Sequence, residues 1–248
     1  AIIPVYNIGG CLNRSVNYRI DQNGPVEKGF RGNSQNLDLN RDFIKCDSKE
    51  ARAFTEIFQL LDPDVFIDNH VSDGADYQHT MTILTTQYDK LDAGLGGWLK
   101  NTFEPQLYKG MSEKSWEMVP YVSFETASPE RGMVMFYDPP RYSSGYAALF
   151  QTIGFMPETH MLKPYKQRVL STYAFSQTMI EKISLNVLEL IKERKKAKAE
   201  IIKEKSFPLK WNVDTATYSF VTFKGYEQAY KPSYATGLNR MYYDRNKP

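Results

Sequence analysis

Two short stretches of this sequence carry side chains able to hold an anion or move a proton. One runs Gly32-Asn33-Ser34-Gln35-Asn36-Leu37-Asp38-Leu39-Asn40-Arg41-Asp42-Phe43, and the other is Phe66-Ile67-Asp68-Asn69-His70. An Arg fork binds a carboxylate through two parallel hydrogen bonds, and a neighbouring amide adds a third. Asn40-Arg41 therefore suits a free carboxylate, such as a peptide C-terminus. A bare Asn-Arg pair would read as a surface Arg beside a loop-capping Asn; the context from Asp38 to Phe43 favours recognition. His70 follows an apolar run, where its ring can offer a nitrogen to a metal in a crevice. Glu158 lies near the end of another such run, Phe155-Met156-Pro157-Glu158. A carboxylate there is costly to desolvate without a task or a partner. Its structural alternative is an ion pair with Lys163 or Arg168. Asp38 or Asp68 can orient a ligand ring from behind.

The Asp-Leu-Asn-Arg-Asp-Phe core resembles the signature of zinc carboxypeptidases related to carboxypeptidase A, and the likeness covers roughly residues 1 to 165. The resemblance implies a hydrolase that removes C-terminal residues with the help of Zn2+. It assigns His70 as the family's third zinc ligand, and Asn40 and Arg41 as the grip on the terminal carboxylate. Glu158 falls to the general base, although Met-Pro precedes it where the family has apolar-Thr-apolar. Arg31 takes the oxyanion, with Arg14 and Arg19 as competitors. A tyrosine that closes over substrate is expected at Tyr137, with Tyr142 and Tyr146 as alternatives. The implied partner is a peptide or peptidoglycan-peptide substrate, in a secreted or periplasmic setting.

One part of the pattern is missing. The family's early His-x-x-Glu supplies two further zinc ligands, and here the only histidines are His70, His79 and His160. The expectation is a chain truncated ahead of that motif, which binds zinc weakly and lacks activity by itself. His79 and His160 read as structural. Two other classes remain open: an aspartoacylase-like deacylase of N-acyl amino acids, and a non-catalytic peptide or cell-wall binding protein. The stretch after His70 lacks the Asn-Thr or Gly-Thr pattern that the deacylase would show.

Composition sets the outer bounds. With 248 residues, 42% hydrophobic and 24% charged, the chain can bury a substantial core. A net charge of +2 gives no global pull toward nucleic acid, and no apolar run reaches the roughly 20 residues of a membrane span. Cys11 and Cys46 either bridge or stand as buried thiols.

The elements that must position these residues follow from periodicity. Ile2 to Tyr6 reads as a buried strand, followed by a long loop from Asn7 to Leu37. Asp47 and Glu50 form a capping box ahead of a helix with Phe54, Ile57, Phe58 and Leu61 on one face. Val65 to Asp68 is a strand that delivers His70 at its C-terminal end. Further strands are expected at Thr80 to Thr86, Val119 to Phe124, Met133 to Tyr137 and Gly154 to Met161. Helices are expected from Leu91 to Tyr108, at Tyr146 to Thr152 and from Pro164 to about Lys205. In the last of these, the charge run Lys192 to Lys198 reads as a solvated end. The fold class is α/β, with a mixed, mostly parallel sheet and helices on both faces over residues 1 to 206. Residues 207 to 248 look like the beginning of a β-rich module, with strands across Trp211 to Val221.

Overall fold

The computed structural model describes residues 1–124 and 132–248, with Phe124 described by its backbone alone. Helix α1 (Ile8–Leu12) starts where the Asn7 side chain accepts the Gly10 N–H. The small strands β1 (Arg14–Ser15) and β2 (Lys28–Gly29) pair antiparallel, so the expected long loop holds three short elements. Helix α2 (Lys49–Leu61) is capped by Ser48 and not by Asp47. The Asp42 carboxylate accepts the N–H groups of both Asp47 and Ser48 at 2.9 Å, which moves the cap one residue on. Glu50 turns instead to the Asn33 amide. Of the four residues expected on one face of α2, Phe54 and Phe58 are buried, as is Ala51, whereas Ile57 and Leu61 face out.

Strands β3 (Val65–Ile67), β4 (His70–Ser72) and β5 (Met81–Thr85) follow. A continuous helical run then passes through α3 (Ala93–Trp98), a π turn (Leu99–Phe103) and α4 (Glu104–Glu113). Gly96 lets α3 approach the chain before it, since a Cβ there would lie 2.5 Å from the Tyr88 carbonyl oxygen. The remaining elements are β6 (Met118–Pro120), β7 (Val122–Phe124), β8 (Met133–Met135), α5 (Ser143–Ala148) and β9 (Ile153–His160). After them come the 37-residue α6 (Tyr165–Ile201) and the hairpin β10 (Glu227–Pro232) and β11 (Asn239–Asp244).

Strand β9 is the centre of the main sheet. It runs parallel to β3 and β4 on one side and antiparallel to β5 on the other, and β5 pairs parallel with β6. All eight of its residues are buried. Strands β3 and β4 are two pieces of one edge. Ile67 pairs with Phe155 and His70 with Glu158, which leaves Asp68-Asn69 opposite Met156-Pro157. Pro157 has no N–H to give a ladder, and it falls opposite this break.

Alternation along the strands divides the core between two faces. Ile153 and Phe155 of β9 pack with Leu95, Leu99, Phe103 and Leu107 of the α3–α4 run and with Phe175 and Met179 of α6. Phe66 of β3 points the other way, into an aromatic cluster with Phe54 and Phe58 of α2 and Tyr146 of α5. The sheet is thus mixed, mostly parallel, and covered by helices on both faces.

Further expectations are corrected. Ile2 to Tyr6 forms no strand, and Ile2 is 91% exposed. An apolar run becomes a strand only where a neighbour accepts its hydrogen bonds, and no described strand pairs with it; Tyr6 alone packs inward, on Phe43 and Phe54. Trp211 to Val221 likewise has no strand, and the β structure of the tail is the later hairpin. In the charge run of α6, Arg194 is buried. Its guanidinium binds Asp62, Asp64, the Gln151 carbonyl and the Thr152 hydroxyl, tying the helix to the turn after α2. Cys11 and Cys46 are free, partly exposed thiols.

Candidate functional site

The register of β4 on β9 brings His70 and Glu158 side by side. Their side chains meet at 3.5 Å, His70 Nδ1 to Glu158 Oε1, while His70 Nε2 lies 2.7 Å from Asp68 Oδ2. Burial alone would push the His70 ring down. Asp68, through charge and hydrogen bond, and then Glu158 outweigh it and hold the ring at about 9. Burial raises the Glu158 carboxyl to about 7 against the pull of His70, with Asp68 and Asp73 adding to the rise. Glu158 Oε2 is buried without a partner. Neither Lys163 nor Arg168 reaches Glu158: Lys163 pairs with Asp76, and Arg168 binds the carbonyls of Lys163, Asn23 and Gly24. The alternative of a structural ion pair with those residues is thereby removed.

The motif loop is held from within. Asn33 Oδ1 accepts the N–H groups of Gln35 and Leu37, and Asp38 Oδ1 caps the 3-10 turn Leu39–Arg41. The other oxygen of Asp38 receives the Arg31 guanidinium, with Nη2 at 2.8 Å. Asp68 therefore orients His70, and Asp38 orients Arg31. The Arg31 charge acts on both His70 and Glu158. Arg41 lies over the Tyr142 ring at 4.6 Å, and Asn40 Oδ1 is buried with no partner. Tyr142 connects this turn to the rest, because Tyr121 senses both Glu158 and Tyr142. Tyr137 is engaged elsewhere: its ring takes the ammonium of Lys90 at 4.5 Å, and Lys90 pairs with Asp138.

The two remaining histidines serve packing. His160 is wholly buried against Tyr77, and burial pushes its ring down to about 4. His79 donates from Nδ1 to the Glu117 carbonyl and accepts the Lys224 N–H at Nε2. Tyr121 and Asp73 were not legible as site residues. Nothing in their spacing separates one tyrosine of 17, or one loop aspartate, from the rest.

A zinc ion does not fit the residues present. Both nitrogens of His70 already face carboxylates, and among the described residues no group of three or more His, Cys, Asp or Glu side chains could hold a metal. Among the described residues no helix is long and apolar enough to cross a membrane.

No family model matches the chain, and no curated protein matches it. Among the solved structures that align in part are two bacterial proteins. A metallo-carboxypeptidase from Burkholderia cenocepacia is 16% identical over 64% of this chain and 41% of its own, with a TM-score of 0.46. A metallo-carboxypeptidase from Pseudomonas aeruginosa is 13% identical over 65% of this chain and 42% of its own, with a TM-score of 0.47. The chain spans about two-fifths of the length of these proteins.

Proposed function

We propose that this chain carries the carboxylate-gripping and proton-transferring part of a metallocarboxypeptidase-type cleft, acting on the free C-terminus of a peptide. The observation that supports it most is the direct pairing of His70 with Glu158 across adjacent strands, next to the charged loop of Arg31, Asp38, Asn40 and Arg41. In this reading Arg41 and Asn40 hold the terminal carboxylate and fix which bond lies over Glu158. The Asn40 amide nitrogen would donate to that carboxylate beside the Arg41 fork.

A carboxyl held at about 7 can take a proton from water and return it to a leaving amine near neutral pH. Arg31 stands close enough to influence that carboxyl and can stabilise the developing oxyanion. Zinc is implied by the resemblance for the complete site. Of the ligands the family uses, this chain answers with His70 only, so no step is routed through the metal.

Calorimetry with a blocked dipeptide carrying a free carboxylate, and with its amide, tests the reading. The acid should bind at least about tenfold more tightly, as a bidentate charge-assisted pair requires. Arg41→Ala should abolish the difference. Equal affinity of acid and amide for the unaltered chain would overturn the proposal.

A further inference from the structure

Residues 222–225 run back along the loop that leads into β5, and three hydrogen bonds fasten them there. The Gln78 N–H donates to the Lys224 carbonyl at 2.8 Å, and the Gln78 amide donates to the Gly225 carbonyl. The third bond passes through a titratable ring. The Lys224 N–H donates to His79 Nε2 at 3.1 Å, while His79 Nδ1 lies 3.3 Å from the Glu117 carbonyl oxygen. The far end of the hairpin β10–β11 is tethered separately: Arg245 pairs with Asp76 at 2.6 Å, and Lys163 reaches the same carboxylate.

These partners fix the state of the ring. A carbonyl oxygen only accepts, so Nδ1 carries the proton; a main-chain N–H only donates, so Nε2 must be bare. An imidazolium has a proton on both nitrogens, and would set a second N–H against that of Lys224. Two donors face to face satisfy neither, and the Lys224 N–H would lose its acceptor. The ring is also within reach of protons. It is buried, but an open space of about 430 Å³ runs beside it, lined by Tyr108, Lys109 and Ser112 of α4 and by Thr222 of the segment.

Charged and titratable groups face His79 from each element packed on it among the described residues. Glu117 precedes β6 and pairs with the Lys224 ammonium, so its charge is shared. Lys109 of α4 pairs with Glu113, and Tyr108 lies beside it. Tyr77 and Phe223 hold the ring between them, with centroids 6.4 and 5.6 Å away. Lys163 donates to the Tyr77 carbonyl. Burial pushes the His79 ring below the ordinary histidine value; Lys224 and Lys163 push the same way, and only Glu117 opposes them. The docked ring is thus depressed relative to the released one. Its contribution to docking is present above the ordinary histidine value and lost as pH falls through the docked value.

We propose that His79 is a pH-sensitive latch: with a neutral ring it holds residues 222–225 against the loop before β5, and a proton taken from solvent at Nε2 releases them. The proton occupies the lone pair that accepts the Lys224 N–H, and that hydrogen bond is the one broken. The test is hydrogen exchange by NMR on the full chain, at about pH 7.5 and about pH 5. It follows the Lys224 and Gln78 amides, each relative to its own unstructured rate at the same pH.

Protection of both amides should fall by about threefold or more from the higher to the lower pH, with the β9 amides far better protected than either throughout. His79→Gln keeps an oxygen that can accept the Lys224 N–H but does not titrate, and should show equal protection at the two values. Glu117→Gln removes the partner of the Lys224 ammonium and leaves the ring. It should weaken protection at both values and preserve their ratio. His79→Leu should leave both amides poorly protected at either pH. The β9 amides report whether each variant is folded, and the unaltered chain with His79→Gln decides the matter even where His79→Leu is not. Protection independent of pH in the unaltered chain would overturn the latch. So would a pH dependence that survives His79→Gln, or one that disappears in Glu117→Gln.

Discussion

His70 is charged at neutral pH because two carboxylates outweigh the cost of burying it, and their shares differ. Asp68 is nearer and hydrogen-bonded, so Asp68→Asn should lower the ring pKa further than Glu158→Gln does. Histidine-selective NMR titration measures both; a larger drop from Glu158→Gln would contradict the geometry. The sign of each group's effect on stability follows from its shift. His70, raised to about 9, contributes stability that is present below its unfolded value and lost as pH rises through 9. Glu158, raised to about 7, loses its contribution as pH rises from the ordinary carboxylate range through 7. His160, depressed to about 4, works oppositely: its contribution is present above the unfolded value and lost as pH falls through 4. Because Glu158 and His160 oppose one another in mildly acid solution, the difference between proteins is the clean measure. The destabilisation caused by His160→Gln should be larger at pH 8 than at pH 4 by about 3 kcal/mol, read from urea unfolding. A pH-independent difference would remove the buried neutral imidazole from the account.

At the scale of elements, the long helix α6 is fixed to the sheet layer through Arg194. Its fork binds two aspartates and the backbone of the turn before β9 at once, which a lysine cannot imitate. Arg194→Ala should cost about 3 kcal/mol, and Arg194→Lys should recover little of it, both by urea unfolding. This residue also shows where sequence reading fails. In the run Lys192 to Lys198, composition indicates a solvated helix end, and nothing local marks one cation as inward-facing. Its aspartate partners lie 130 and 132 positions away. The strands Met81–Thr85 and Ile153–His160 and the helices α2 and α6 were legible because their patterns are local, whereas α1 fell in the expected loop and α5 begins three residues earlier than expected. Ile2 to Tyr6 misled for the complementary reason: its pattern is that of a strand, but a strand also needs a neighbour. In the site, Asn40, Arg41, His70 and Glu158 stood out by motif, and the pairing of His70 with Glu158 depends on a register that only the folded sheet defines. Tyr121 came to light only through the charges it senses, whereas Tyr142 was an alternative in the sequence and is distinguished by the Arg41 guanidinium over its ring.

Taken as a whole molecule, the chain divides its tasks unevenly. In the proposed reading Asn40, Arg41 and Glu158 grip a carboxylate and shuttle a proton, whereas among the described residues a metal would find there one imidazole, already shared between two acids. Purified and dialysed against zinc-free buffer, it should therefore retain well below one equivalent of zinc, because one ligand lacks the affinity that several preoriented ligands provide together. Elemental analysis checks this. A stoichiometric zinc whose binding is lost in His70→Ala would show that the ligand set has been misjudged, and His79→Ala and His160→Ala would then locate the remainder.

The bond between Asp76 and Arg245 joins positions 169 apart. Loop-closure entropy grows only with the logarithm of length, so this closure costs about 1 kcal/mol more than one spanning roughly 40 residues. We expect the hairpin to open as a unit apart from β9, whose eight residues are all buried. Hydrogen exchange should reveal two classes of amide: those of β10–β11 opening through a low-energy local event, and those of β9 only through global unfolding. Arg245→Ala should speed the first class and leave the second unchanged. Opening of the segment that carries Arg245 would then be a local equilibrium, set apart from the unfolding of the sheet.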